Sequence, residues 1–99
     1  MHPSTHLPRC PLCGHVMLTG PGCTAAQMRV RTPAGLWVRM PRIPFGREEG
    51  RLAVPGPDGR CADCGAPRGG FHHQFCDQEE CPQCRGQAIS CRCMAEPVP

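Results

Sequence analysis

Apolar and polar residues alternate most clearly in the middle of the chain. In QMRVRT, Met28 and Val30 fall on one side and Arg29 and Arg31 on the other. In LWVRM, Leu36, Val38 and Met40 oppose Trp37 and Arg39. Period two is the strand period, and TPAG between the two runs has Pro second and Gly fourth, a type I turn signature. The pattern predicts a β-hairpin. PRIPFG follows as irregular chain, because Pro41 and Pro44 cannot donate to a ladder. RLAV, residues 51–54, reads as a third short strand ended by PGPDG. No stretch carries the spacing of a helix longer than about two turns. DQEEC, residues 77–81, could begin a short one, with Asp77 as N-cap and Glu80 at capping-box distance.

Composition limits what these elements can build. Of 99 residues, 12 are Gly and 13 Pro, while three Phe and one Trp are the only aromatic core formers. So little large apolar surface needs staples, either disulfides or metal. A large-cored enzyme, a helical bundle and a membrane span are excluded. The staples are visible as ten cysteines. The opening MHPSTHLPRCPLCGH has no apolar leader core, so the expected compartment is the reducing cytoplasm, where such cysteines bind metal rather than each other.

The cysteines divide the chain. Residues 1–26 hold Cys10, Cys13 and Cys23; residues 27–60 hold none; residues 61–93 hold seven, with His72 and His73; residues 94–99 form a Pro-ended tail expected to fray. Formal charge is +3, unevenly spread. Residues 1–60 carry eight Arg against three carboxylates, and residues 61–99 carry three against five. Thiolates bound to zinc add negative charge. One site of four cysteines and one of three cysteines with a histidine together cancel the +3.

Residues 61–93 contain Cys61-x2-Cys64, His73-x2-Cys76, Cys81-x2-Cys84 and Cys91-x-Cys93. A CxxC turn points two sulfurs at one centre, and two such pairs complete a tetrahedral zinc shell. Eight ligands imply two zinc ions. In a sequential grouping, Cys61, Cys64, His73 and Cys76 share one ion and Cys81, Cys84, Cys91 and Cys93 the other, which closes only short loops. In a crossed grouping, Cys61, Cys64, Cys81 and Cys84 form a ribbon, and His73, Cys76, Cys91 and Cys93 the second site. The sequential grouping leaves Cys10, Cys13 and Cys23 for a third ion, with His15 or His6 as fourth ligand. Against that stands a long ribbon in which Cys10 and Cys13 join Cys61 and Cys64, leaving Cys23 a spare thiol. His73 is the expected ligand, from its spacing to Cys76, and His72 a solvated or supporting histidine. Asp77 or Glu80 could accept the ligating imidazole's second hydrogen bond. Glycine follows the second cysteine in CPLCG and CADCG, but Arg85 intervenes after Cys84, so that knuckle is expected to be looser.

At these residues the chain resembles a family of small bacterial and phage zinc-ribbon proteins, mostly of unassigned function. The shared pattern is C-x-D-C-G…G-G-x-H-H-x-x-C-D-x-E-x-C-P-x-C-x-G-Q-x-x-S-C-x-C, here Cys61 to Cys93, with IPFGREE before it. It covers about half the chain. The implied fold is a small, metal-stabilised, β-rich zinc ribbon of short hairpins and knuckles with little helix.

The deaminase signature H-x-E…P-C-x-x-C is missing, since no His is followed two residues later by Glu. Closed ligand sets read as structural zinc rather than catalytic zinc. The expected function is a non-catalytic adaptor contacting a nucleic-acid machine, such as a transcription or translation component, or nucleic acid itself. Arg29, Arg31, Trp37, Arg39, Arg42, Phe45 and Arg47 are the candidate contact residues, arginine with an aromatic platform suiting phosphate contact and base stacking. Trp37 is equally a candidate core residue. The alternative is a protein-only adaptor or a phage-type inhibitor of a host protein. A metal store, a redox switch or a nuclease-like enzyme ranks behind both. No membrane partner or small-molecule substrate is expected.

Overall fold

The computed structural model describes residues 8–49 and 54–99. The hairpin forms as the alternation predicts. Strand β1 (Gln27–Arg31) pairs antiparallel with β2 (Trp37–Pro41), setting Met28 opposite Met40 and Val30 opposite Val38. At the turn, Gly35 N–H donates to the Thr32 carbonyl at 2.8 Å. The Thr32 hydroxyl accepts from Leu36 N–H at 3.1 Å. Gly35 has φ +85°, where a side chain would be strained.

A third strand comes from an unexpected place. β3 (Glu96–Val98) pairs antiparallel with the other edge of β1, giving the order β2-β1-β3. The tail is therefore bound rather than frayed. Pro97 is tolerated because β3 is an edge strand and has no ladder to continue on its outer side. Most of RLAV lies outside the described residues; Val54 N–H donates to Gln78 Oε1 at 2.6 Å.

Among the described residues there is no helix, and none is long and apolar enough to cross a membrane. Residues 77–81 do not become helical. Asp77 N–H donates to Asp63 Oδ2 at 2.7 Å, and Glu80 bridges Gln87 across the turn that carries Cys81 and Cys84.

The interior consists of three small apolar clusters, each containing cysteines. Met28 and Val30, both fully buried, lie with Cys81, Ala88 and Cys93 beneath the sheet. Phe45 and Ala66 surround Cys61, Cys64 and Cys76. Ala25 lies with Cys10 and Cys23, flanked by Leu12, Met17 and Phe71. Among the described residues, each of these apolar clusters is built around sulfur.

Candidate metal centres

Three turns of one design carry the cysteine pairs. Cys10 N–H donates to the His15 carbonyl at 3.0 Å, Cys61 to Ala66 at 2.9 Å and Cys81 to Gly86 at 2.8 Å. In each, the residue after the second cysteine donates back to the first cysteine's carbonyl: Gly14, Gly65 and Arg85, at 2.8, 2.9 and 2.8 Å. All three have positive φ: +79°, +79° and +66°. Arg85 thus takes the glycine conformation and its knuckle is as tight as the others, contrary to the expectation of a looser turn. Its guanidinium reaches buried Glu80 at 3.1 Å. Gly65 is needed twice over, because a Cβ there would lie 2.4 Å from Leu18 Cα.

These turns bring the donors into three groups of four: Cys10, Cys13, Cys23 and His73; Cys61, Cys64, His72 and Cys76; and Cys81, Cys84, Cys91 and Cys93. Within each, all ligand atoms lie within 4.8 Å of one another. The tighter contacts match a shared ion. A tetrahedral site with Zn–S near 2.3 Å and Zn–N near 2.0–2.1 Å has S···S edges of about 3.8 Å and S···N edges of about 3.5 Å. Cys61 Sγ and Cys76 Sγ are 3.7 Å apart. His72 Nδ1 lies 3.5 Å from Cys64 Sγ and 3.4 Å from Cys76 Sγ. His73 Nδ1 lies 3.5 Å from Cys13 Sγ. The donor sets and spacings could hold metal ions, and soft thiolate with imidazole suits zinc.

The grouping is sequential in outline, but the histidines are exchanged. His72, expected to be supporting, joins Cys61, Cys64 and Cys76; His73 crosses to Cys10, Cys13 and Cys23. His15 joins no cluster: its Nδ1 lies 3.4 Å from the Gly22 carbonyl. His6 lies outside the described residues. The cause is backbone geometry. Residues 72 and 73 lie between the Phe71 bridge to Cys23 and the turn at 74–75. Successive side chains on extended chain point to opposite sides, so neighbours serve two centres.

Each imidazole is oriented from behind. His72 Nε2 lies 2.6 Å from Glu48 Oε2, while Glu48 Oε1 accepts from Gly46 N–H at 2.7 Å. His73 Nε2 faces the Pro21 carbonyl at 3.2 Å. With Nδ1 turned to the sulfurs, Nε2–H is the donor in both, the arrangement that fixes a metal-bound histidine. Glu48, rather than Asp77 or Glu80, plays this part for His72; spacing carries no hint of it, because it is 24 positions away. Backbone N–H groups of His73, Gln74, Gln78 and Gly86 point at Cys64, Cys10, Cys76 and Cys84 sulfurs at 3.4–3.5 Å.

The electrostatics favour a cation at each centre. Hydrogen bonds from Cys64 and Cys76 pull Cys61 far below the thiol range, while Cys61 and Cys64 drive Cys76 far above it. Burial pushes Cys81 up to about 12. Burial opposes charge on His72, but Cys61, Cys64 and Glu48 outweigh it and raise the imidazole to about 10. Burial lowers His73, keeping it neutral, the form that ligates. Three or four clustered thiols cannot all ionise unaided; a central divalent ion would remove that conflict.

Arg42 and Phe45 are corrected from contact residues to interior ones. Arg42 is buried and makes two 2.8 Å bonds to Glu79, from Nε to Oε2 and from Nη2 to Oε1. Its Nη1 donates to the Ala25 carbonyl at 2.9 Å, and Nη2 also to the His72 carbonyl. Burial works against its charge, and Glu79 more than restores it. Arg42 therefore ties together backbone beside two of the clusters. Phe45 packs edge-on to His72 with ring centroids 5.7 Å apart. The irregular chain that holds Pro44 and Phe45 thus frames the second centre.

Arg29, Arg31, Trp37 and Arg39 share the outer face of the sheet and are exposed, as is Arg47 beyond it. The Arg29 guanidinium lies 4.5 Å from the Trp37 ring centroid and pairs with Glu96 at 2.9 Å. Trp37 is thus a surface residue rather than a core one. No protein-family model matches this chain, and neither do curated proteins or solved structures.

Proposed function

We propose that the chain is a non-catalytic zinc-ribbon adaptor, held together by three structural zinc ions, that docks on a nucleic-acid machine through the arginine–tryptophan face of its sheet. The carrying observation is that every cluster supplies four protein donors. A complete tetrahedral shell leaves no position for a substrate or an activated water. With zinc bound, each of the two shells of three cysteines and a histidine carries −1, and the all-cysteine shell carries −2. Together they turn the formal +3 into about −1. Basic character is then local, and the sheet face concentrates it. This fits docking on a polyanionic partner.

Native mass spectrometry of the purified chain tests the metal half: three zinc ions are expected, all removed by a chelator under denaturing conditions, and one ion or none overturns it. Retention on immobilised heparin tests the surface half. Elution at raised salt is expected, earlier for a chain carrying both Arg29→Glu and Arg31→Glu, and no retention overturns it. A protein-only adaptor is the second reading, favoured by Glu96, which already neutralises Arg29.

A further inference from the structure

We propose that the occupant of this face is a single-stranded nucleic acid, with one base stacked at Trp37 and its flanking phosphates held by Arg31 and Arg92. The proposal rests on the adaptor reading above and names its ligand. Arg31 lies with its guanidinium 6.0 Å from the Trp37 ring centroid. It also lines a cleft of about 350 Å³ that it shares with Thr32, Pro33, Gln83, Arg92 and Cys93. The cleft walls are fixed: Arg31 N–H donates to the Cys93 carbonyl at 2.8 Å, and Gln83 Nε2 donates to the Arg31 carbonyl at 2.8 Å.

Among the described residues, neither Arg31 nor Arg92 has a carboxylate partner, so both charges are available. Arg39 continues the strip on the other side, hydrogen-bonded to Gln27 Oε1 and the Pro99 carbonyl at 3.4 Å. The order along the surface is arginine cleft, half-exposed indole with the Glu96-paired Arg29 guanidinium against one side of it at 4.5 Å, then arginine. That order matches a strand with its phosphates on the guanidiniums and an unpaired base on the ring. A duplex keeps its bases stacked inside. An indole lying on a sheet face finds no exposed base to stack on there, whereas a single strand offers one.

The chain has one Trp and no Tyr, so its emission reports Trp37 alone. The test titrates the zinc-loaded chain with oligo-dT and oligo-U of about twelve nucleotides, and with a duplex of the same length, at several salt concentrations. Single strands are expected to quench the emission and to bind with a negative salt slope. Arg31→Ala with Arg92→Ala should shallow that slope by about 1.4, roughly 0.7 per lost phosphate contact. Followed by the anisotropy of a dye-labelled strand, because these variants have no indole, Trp37→Ala should weaken binding about tenfold at unchanged slope and Trp37→Phe should retain it, while Arg9→Ala, away from the sheet, should change neither. Duplex bound as tightly as single strand, or binding without quenching, overturns the single-strand proposal while heparin retention keeps the adaptor reading. Failure to bind any of these polyanions, heparin included, overturns both.

Discussion

Two adjacent imidazoles decide which sulfurs share a centre. His72 and His73 fall in different clusters, so the nearest-spacing rule that pairs His73 with Cys76 selects the wrong neighbour. The spacing His72-x3-Cys76 is as compatible with a shared ion, but two adjacent candidates give a sequence no way to choose. The tertiary structure makes the choice: both rings are fully buried, with His72 Nδ1 facing Cys64 and Cys76 and His73 Nδ1 facing Cys13. Alanine at either position should therefore lower the bound zinc from three ions to two by native mass spectrometry, whereas His15→Ala should keep three. Loss of an ion from His15→Ala and none from His73→Ala would return His15 to the first cluster.

Between the centres, the elements are coupled by a buried ion pair and an unforeseen strand. Arg42 leaves β2 and meets Glu79 with both side chains almost wholly buried. Removing one member leaves a charge in the interior. Arg42→Ala is thus expected to cost about 3–5 kcal/mol in zinc-loaded unfolding experiments, and Arg42→Met with Glu79→Leu considerably less. A near-neutral Arg42→Ala would show that water reaches Glu79. In the sequence, Arg42 looks like one more basic surface residue beside Arg39 and Arg47. β3 is hidden for another reason: EPV is too short and too proline-bound to read as a strand, and its pairing with Met28 exists only after the tail returns 67 positions to set Arg29 against Glu96.

Across the fold, order follows sulfur. Each apolar cluster is built on cysteines, so if these hold the proposed zinc, removing it would remove the nucleus of each core. The clusters differ in access: Cys84 is exposed and Cys91 half-buried, while all four donors of the second cluster are buried. Competition with a soluble chelator should release the first zinc from Cys81, Cys84, Cys91 and Cys93. The methyl resonances of Met28 and Val30, which pack on that cluster, should move first. First movement at Phe45 or Ala66 would place the labile ion in the second cluster instead.

Spacing and composition alone imposed a sulfur-centred interior, the hairpin and the three paired-cysteine turns, because each depends on residues within a few positions of one another. Chain-distant partners lay beyond their reach: the crossing of His73 to the first cluster, Glu48 behind His72, the sinking of Arg42 and Phe45 into the interior, and the return of the tail to β1. Those follow from which surfaces meet once the turns have formed, and local preference carries no information about that meeting.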